Sequence, residues 1–179
     1  MRLALCRLVR VSPSFRIRPA RTSDVGAIRA LVAPLADDRV LVAKETVAYY
    51  EGLQEFRIAE DPDGTVLGCG ALHVMWEDLA EVRTLATAES AKGRGVGTAL
   101  VERLLADAAD LGVRRVFCLT FEVEFFRKRG FEVMKDQSPV DPEVYSQLLR
   151  SHDEGVAEFL DLARVKPNTL GNTRMIRML

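Results

Sequence analysis

From Lys92 to Thr98 the chain reads Lys-Gly-Arg-Gly-Val-Gly-Thr. Glycine fills every second position, and the segment runs straight into Val96, Ala99, Leu100, Leu104, Leu105, Ala108 and Leu111. Those apolar residues are three and four apart, the pattern of one helix face. Glycine lets a backbone approach an anion and take positive φ. A helix start adds unpaired N–H groups and the positive end of the helix dipole. Together they make a cradle for phosphate groups. The spacing is neither GxxxxGK[ST] nor GxGxxG, because Thr98 stands where the third glycine would be. The plainer alternative is a glycine-rich turn that only joins a strand to a helix.

The surrounding elements must position this loop. Phe15 to Arg21 alternates apolar residues with arginine and predicts a strand. Thr22-Ser23-Asp24 caps a helix through Val25, Ile28, Leu31 and Val32, which Pro34 is expected to end. A short helix follows over Lys44 to Gly52. Strands are predicted over Glu55 to Glu60, Thr65 to Trp76 and Leu79 to Ala86, antiparallel by their hairpins, with a turn at Asp61-Pro62-Asp63-Gly64. After the long helix, which Gly112 caps, come a strand from Arg115 to Phe121 and a short helix closed by Gly130. Farther on, Pro142 to Glu154 reads as helix, Val156 to Ala163 as strand, Lys166 to Asn172 as loop and Met175 to Leu179 as the last strand. The fold class is α/β (α+β): a mixed, mainly antiparallel sheet flanked by helices.

Composition narrows the function. The chain has 179 residues, 48% of them apolar, and a net charge of −1. This fits one domain, expected over 15–179, with residues 1–14 as an N-terminal tail. Those fourteen residues hold three arginines and no acid, but Arg7 and Arg10 interrupt the apolar core that a secretory signal needs. A nucleic-acid partner is not expected without a basic face, nor a membrane without a run of ~18 apolar residues. Cys6, Cys69 and Cys118 are odd in number and form no CxxC pair, and only His73 and His152 are histidines. Neither a disulfide framework nor a metal site is expected. Cys69, Cys118, Phe117, Phe121, Phe125 and Phe126 read as core residues, and His73 as a strand residue with a local hydrogen bond.

The order cation-x-x-Gly-x-Gly, with Lys92, Gly95 and Gly97, resembles the pyrophosphate-binding motif of the GNAT acetyltransferases. Glu89 stands where that family often has proline. Arg18 to Asp24 (RPARTSD) looks like its first strand and helix start, and Glu124 to Phe131 (EFFRKRGF) like its second signature. Phe126 replaces the usual tyrosine there, so the resemblance supplies no hydroxyl to protonate the departing thiolate. Acetyl-CoA is the implied co-substrate. Its site is expected at Leu85, Ala86 and Thr87 on the strand end, and at Lys92, Gly93, Arg94, Gly95, Val96, Gly97 and Thr98.

Acetyl transfer to an amine needs a route for the proton of the ammonium. Glu81, on the strand before the loop, is the candidate base; the alternative is a glutamate facing water. Strand alternation sets Arg83 on the face of Glu81 and Leu85 unless the strand bulges. An adjacent guanidinium would lower the pKa of Glu81.

Four segments together resemble the acetyltransferase domain of N-acetylglutamate synthases: VLVAKETVAYYEGLQEFRIAE, GTVLGCGALHV, LAEVRTLATA and RRVFCLTFEVEFFRKRGF. The tail KPNTLGNTRMIRML is similar to their short forms. The resemblance implies Glu81 as base, Lys44 as a carboxylate ligand, and Asn172 and Thr173 as pocket lining. Gly171 stands where some members have arginine, and Arg174 is a substitute for that charge. Arg83 is a further cation for a substrate with two carboxylates. The expected function is acetylation of the α-amino group of L-glutamate, the first step of arginine synthesis, in the cytoplasm. A homodimer is expected, without the kinase-like regulatory domain of longer members. The alternatives are glutamine, another small amine or a protein N-terminus as acceptor, or a non-catalytic acyl-CoA sensor.

Overall fold

A computed structural model describes residues 15–42, 44–135, 140–162 and 171–179. The expected tail at 1–14 and most of the loop at 166–172 lie outside them. Seven strands form one sheet in the order β1-β2-β3-β4-β5-β7-β6. They are β1 (Arg16–Pro19), β2 (Phe56–Glu60), β3 (Val66–Trp76), β4 (Leu79–Thr87), β5 (Arg115–Thr120), β6 (Glu132–Val133) and β7 (Thr173–Met178). Every neighbouring pair is antiparallel except β4 and β5, which run parallel. The helices are α1 (Val25–Asp37), α2 (Thr46–Glu51), α3 (Val96–Asp110), α4 (Val123–Arg127), α5 (Pro142–Leu148) and α6 (Glu154–Phe159).

The long α3 packs its apolar stripe on one sheet face. Leu100, Val101, Leu104 and Ala108 are fully buried there, with Ala80, Val82, Val116 and Cys118 from the strands beneath. Burying each leucine contributes roughly 2 kcal/mol. On the opposite face α1 sets Val25, Ile28 and Val32 against Ile58, Cys69 and Ala71. Alternating residues of β3 and β4 thus serve two different cores.

Four expectations change. Pro34 does not end α1, which runs on to Asp37. A proline removes one N–H bond, but Leu35, one residue farther on, still packs against the α1 core. Residues 156–159 are helical, not strand. Val156, Ala157, Phe159 and Leu160 form a short apolar run, which periodicity alone assigns poorly. The helix from Pro142 stops at Leu148 instead of reaching Glu154, and Asp153 caps a new helix by accepting from Val156 N–H at 3.1 Å. Phe121 is exposed beyond the end of β5, not in the core, whereas Phe117 and Phe126 are buried. The two-residue β6 carries no sequence pattern of its own.

Candidate active site

Strand β4 is irregular where the chemistry is expected. Arg83 pairs with Ala71 and Ala86 with Cys69, so β4 holds one residue more than β3 between those pairs. Thr84 absorbs the bulge with φ of +54°, a left-handed conformation uncommon for a β-branched residue. The Cys69 thiol donates to its carbonyl at 3.7 Å. Glu81 and Arg83 therefore share a face, while Leu85 turns to the other and packs toward α3. Simple alternation would have kept all three together.

Beside the bulge the sheet opens. The β4–β5 pairing ends at Glu81 and Phe117. From Val82 to Thr87, β4 pairs only with β3. Its other edge carries main-chain groups turned toward the gap left by β5, where backbone donors and acceptors require partners.

A cavity of 540 Å³ lies at the inner end of this gap. Glu81, Arg83 and Thr84 form its base. Lys44, on the connector between α1 and α2, and Asn172, just before β7, face it from either side, and the start of α6 closes it. Glu81 is 7% exposed. Burial raises its carboxyl pKa to about 7, outweighing the opposing pull of Arg83 at 3.9 Å. The lowering expected from the adjacent guanidinium is thus reversed by desolvation. A carboxylate poised near neutrality suits proton transfer. Its Oε2 has no hydrogen-bond partner among the described residues.

Arg83 is not free to swing. It donates to Asp153 at 2.8 Å and to Glu55 at 2.9 Å. Glu55 also meets His73 Nδ1 at 2.7 Å, and Asp153 lies 3.5 Å from His73 Nε2. Burial favours protonating Glu55 and Asp153, but the hydrogen bonds and charge of Arg83 and His73 hold both below the usual carboxylate range. The pKa of Lys44 is lowered, first by partial desolvation and then by Arg83.

The glycine loop lies at the far end of β4. Gly93 and Gly95 have φ of +76° and +79°. The first bond into α3 runs from Ala99 N–H to the Gly95 carbonyl, at 3.0 Å. The N–H groups of Val96, Gly97 and Thr98 precede it, in the first turn, where no intrahelical acceptor exists. Bare backbone, left-handed glycines and a fifteen-residue helix behind them fit a diphosphate. The side chains of Ala86 and Leu85 are packed inward, so these two offer main chain to the gap. Arg94 pairs with Asp61 at 2.7 Å and Lys92 with Glu89 at 3.3 Å.

The chain matches the Acetyltransferase (GNAT) family over residues 34–131. An amino-acid acetyltransferase of Mycobacterium tuberculosis is 53% identical over 165 residues, which are 91% of this chain and 94% of that protein. The chain belongs to the GNAT family. This GNAT acetyltransferase takes its acetyl group from acetyl-CoA. The crystal structure of Rv2747 from Mycobacterium tuberculosis, in complex with CoA and NLQ, superposes on it with a TM-score of 0.86 at 53% identity, over 92% of this chain and 99% of that one. N-acetylglutamate synthase from Neisseria gonorrhoeae, complexed with CoA and N-acetyl-glutamate, matches with a TM-score of 0.73 at 24% identity. That match covers 92% of this chain and 35% of the other, and shows a shared fold.

Four of the sequence candidates of this GNAT chain meet in the cavity: Glu81, Lys44, Arg83 and Asn172. Thr173 and Arg174 do not line it. Thr173 pairs with Thr120 in the sheet, and Arg174 lies 3.4 Å from Asp161. Phe126 packs in an aromatic group with Phe125 and Phe131, so this position offers no acid. Glu55, Asp153 and Gly155 were not anticipated. For Asp153 a signal exists: an aspartate three residues before Val156 is a helix cap.

Proposed function

We propose that the protein transfers the acetyl group of acetyl-CoA directly to the α-amino group of L-glutamate, with Glu81 as general base. The observation that carries this reading is a buried carboxylate with a pKa of about 7, set where β4 and β5 part. In this reading the N–H groups of Val96, Gly97 and Thr98, behind the left-handed glycines, hold the diphosphate of the donor. The open β4 edge from Val82 to Thr87 receives the amides of its pantetheine arm. Glu81 takes a proton from the substrate ammonium, directly or through water. The amine nitrogen then bonds to the acetyl carbon as the carbon–sulfur bond breaks, and the second nitrogen proton passes through water to the thiolate.

Lys44 and Asn172 receive the substrate carboxylate, and Arg83 fixes the pocket through its two carboxylate partners. Thr173 and Arg174 support Asn172 from β7. Such chemistry opens arginine synthesis and places the enzyme in the cytoplasm, as a domain spanning 15–179 that pairs as a homodimer.

A specific observation favours glutamine as a second acceptor. The cavity walls carry Glu51, Glu55, Asp153, Glu154 and Glu158 alongside Arg39, Lys44 and Arg83. A neutral side-chain amide meets less repulsion there than a second carboxylate. Thiol release from acetyl-CoA, measured with glutamate, glutamine and polyamines, tests both readings. Turnover with polyamines alone removes them.

A further inference from the structure

We propose that Arg129 is a coenzyme-binding residue that grips a phosphoryl group of acetyl-CoA beside the first turn of α3; this rests on the acetyl-CoA reading above. Arg129 follows α4, and its guanidinium lies over the Phe125 ring, 3.6 Å from the ring centroid. Its Nη2 donates to Thr98 Oγ1 and its Nη1 to the Phe125 carbonyl. Thr98 belongs to the first turn of α3. The Phe125 ring covers the same turn, 3.4 Å from where a Cβ of Gly97 would lie. The guanidinium therefore borders the N–H groups of the cradle.

Its charge is what marks it. Arg18, Arg57, Arg83, Arg94 and Arg115 each meet a carboxylate. Arg129 is held by a ring and two neutral oxygens, and its buried Nε has no partner among the described residues. Burial disfavours its charged form, against which only the more distant charge of Glu102 acts among the described residues. A partly buried cation beside the positive end of a helix is unfavourable on its own. A phosphoryl group entering there offsets both, and the planar fork matches its oxygens. Phe125 and Thr98 preset the fork, so little side-chain entropy is lost on binding. The signal in the sequence is the arginine before Gly130 in EFFRKRGF, which the glycine loop overshadows.

Three acetyl donors test this: acetyl-CoA, acetyl-dephospho-CoA and S-acetylpantetheine, the last lacking every phosphate. Arg129→Ala should raise KM for acetyl-CoA by ~10- to 100-fold with little change in kcat, and leave turnover of S-acetylpantetheine unchanged. Arg129→Lys should recover part of the loss and become more salt-sensitive. A loss that persists with acetyl-dephospho-CoA assigns the contact to the diphosphate; one confined to acetyl-CoA assigns it to the 3′-phosphate. Equal losses with S-acetylpantetheine mean a structural role and overturn the proposal. Calorimetry with CoA separates the layers. Equal affinity in wild type and Arg129→Ala overturns the Arg129 contact alone. No binding by the wild type overturns the donor reading and this inference with it. Thermal melting without CoA, together with the Arg129→Lys variant, guards against a folding defect.

Discussion

Glu81 and Gly155 touch so closely that residue 155 has no room for a side chain. A Cβ there would lie 2.8 Å from the Glu81 carboxyl carbon and overlap its Oε2. The start of α6 thus closes over the Glu81 carboxylate because it carries a bare Cα at that point. Gly155→Ala should displace the carboxylate, lowering kcat by roughly 100-fold, since small misplacements at a reacting centre cost that much. It should also destabilise the fold by ~1–3 kcal/mol through overpacking. Gly26→Ala is the control. A methyl there meets nothing within 4 Å, and a helix position gains up to ~1 kcal/mol from alanine. Steady-state kinetics and thermal melts read both.

Glu81 must be ionised to accept a proton. The pH profile of kcat/KM should therefore rise to a plateau with a midpoint near the raised value of about 7. Glu81→Gln should lower kcat by ~10²- to 10⁴-fold and remove that limb, with CoA affinity retained. If the wild type binds CoA but turns over no acceptor at any pH, the protein is a sensor and not an enzyme.

The same substitution should have the opposite effect on stability. A carboxyl raised from 4.5 to about 7 binds its proton more tightly in the folded state than in the unfolded chain. Its contribution is fully present below 4.5 and is lost as pH rises through 7. Glutamine never ionises. Glu81→Gln should therefore melt higher than wild type above neutrality, by up to about 3 kcal/mol, and the gap should narrow in acid. Melts across pH check the sign.

Asp153 serves two functions that two variants separate. Asparagine still caps a helix but carries no charge for Arg83. Asp153→Asn should destabilise the fold by ~1–2 kcal/mol through the lost charged hydrogen bond to Arg83 and raise KM for the amino acid as Arg83 loses an anchor. Asp153→Ala should add a cap loss of ~1 kcal/mol. Equal effects of the two on KM and stability would refute this division.

Gly95 has φ of +79°. Gly95→Ala forces a left-handed alanine, costing ~1–2 kcal/mol, and should raise KM for acetyl-CoA while leaving KM for the acceptor unchanged.

The glycine cradle was legible in the sequence because local rules build it. Glycine conformation and the start of one long helix make the cradle, and both are written between Lys92 and Leu111. Glu81 was placed by its strand, yet its pKa was not, since burial by α6 depends on a helix distant in the chain. The walls were harder for the same reason. Asp153 and Glu55 reach Arg83 from 70 and 28 residues away. The apolar run at 156–160 was short enough to fit either period, so the element that closes the cavity was misassigned, and Gly155 with it.

The extra residue at Thr84 makes the length of β4 part of the chemistry. Deleting one of the two positions between Arg83 and Ala86 would leave Ala86 opposite Cys69 as before, but would flatten the bulge that turns the main chain here out of the regular ladder. In an alignment of functional relatives this short stretch should tolerate exchanges of side chain but no gap.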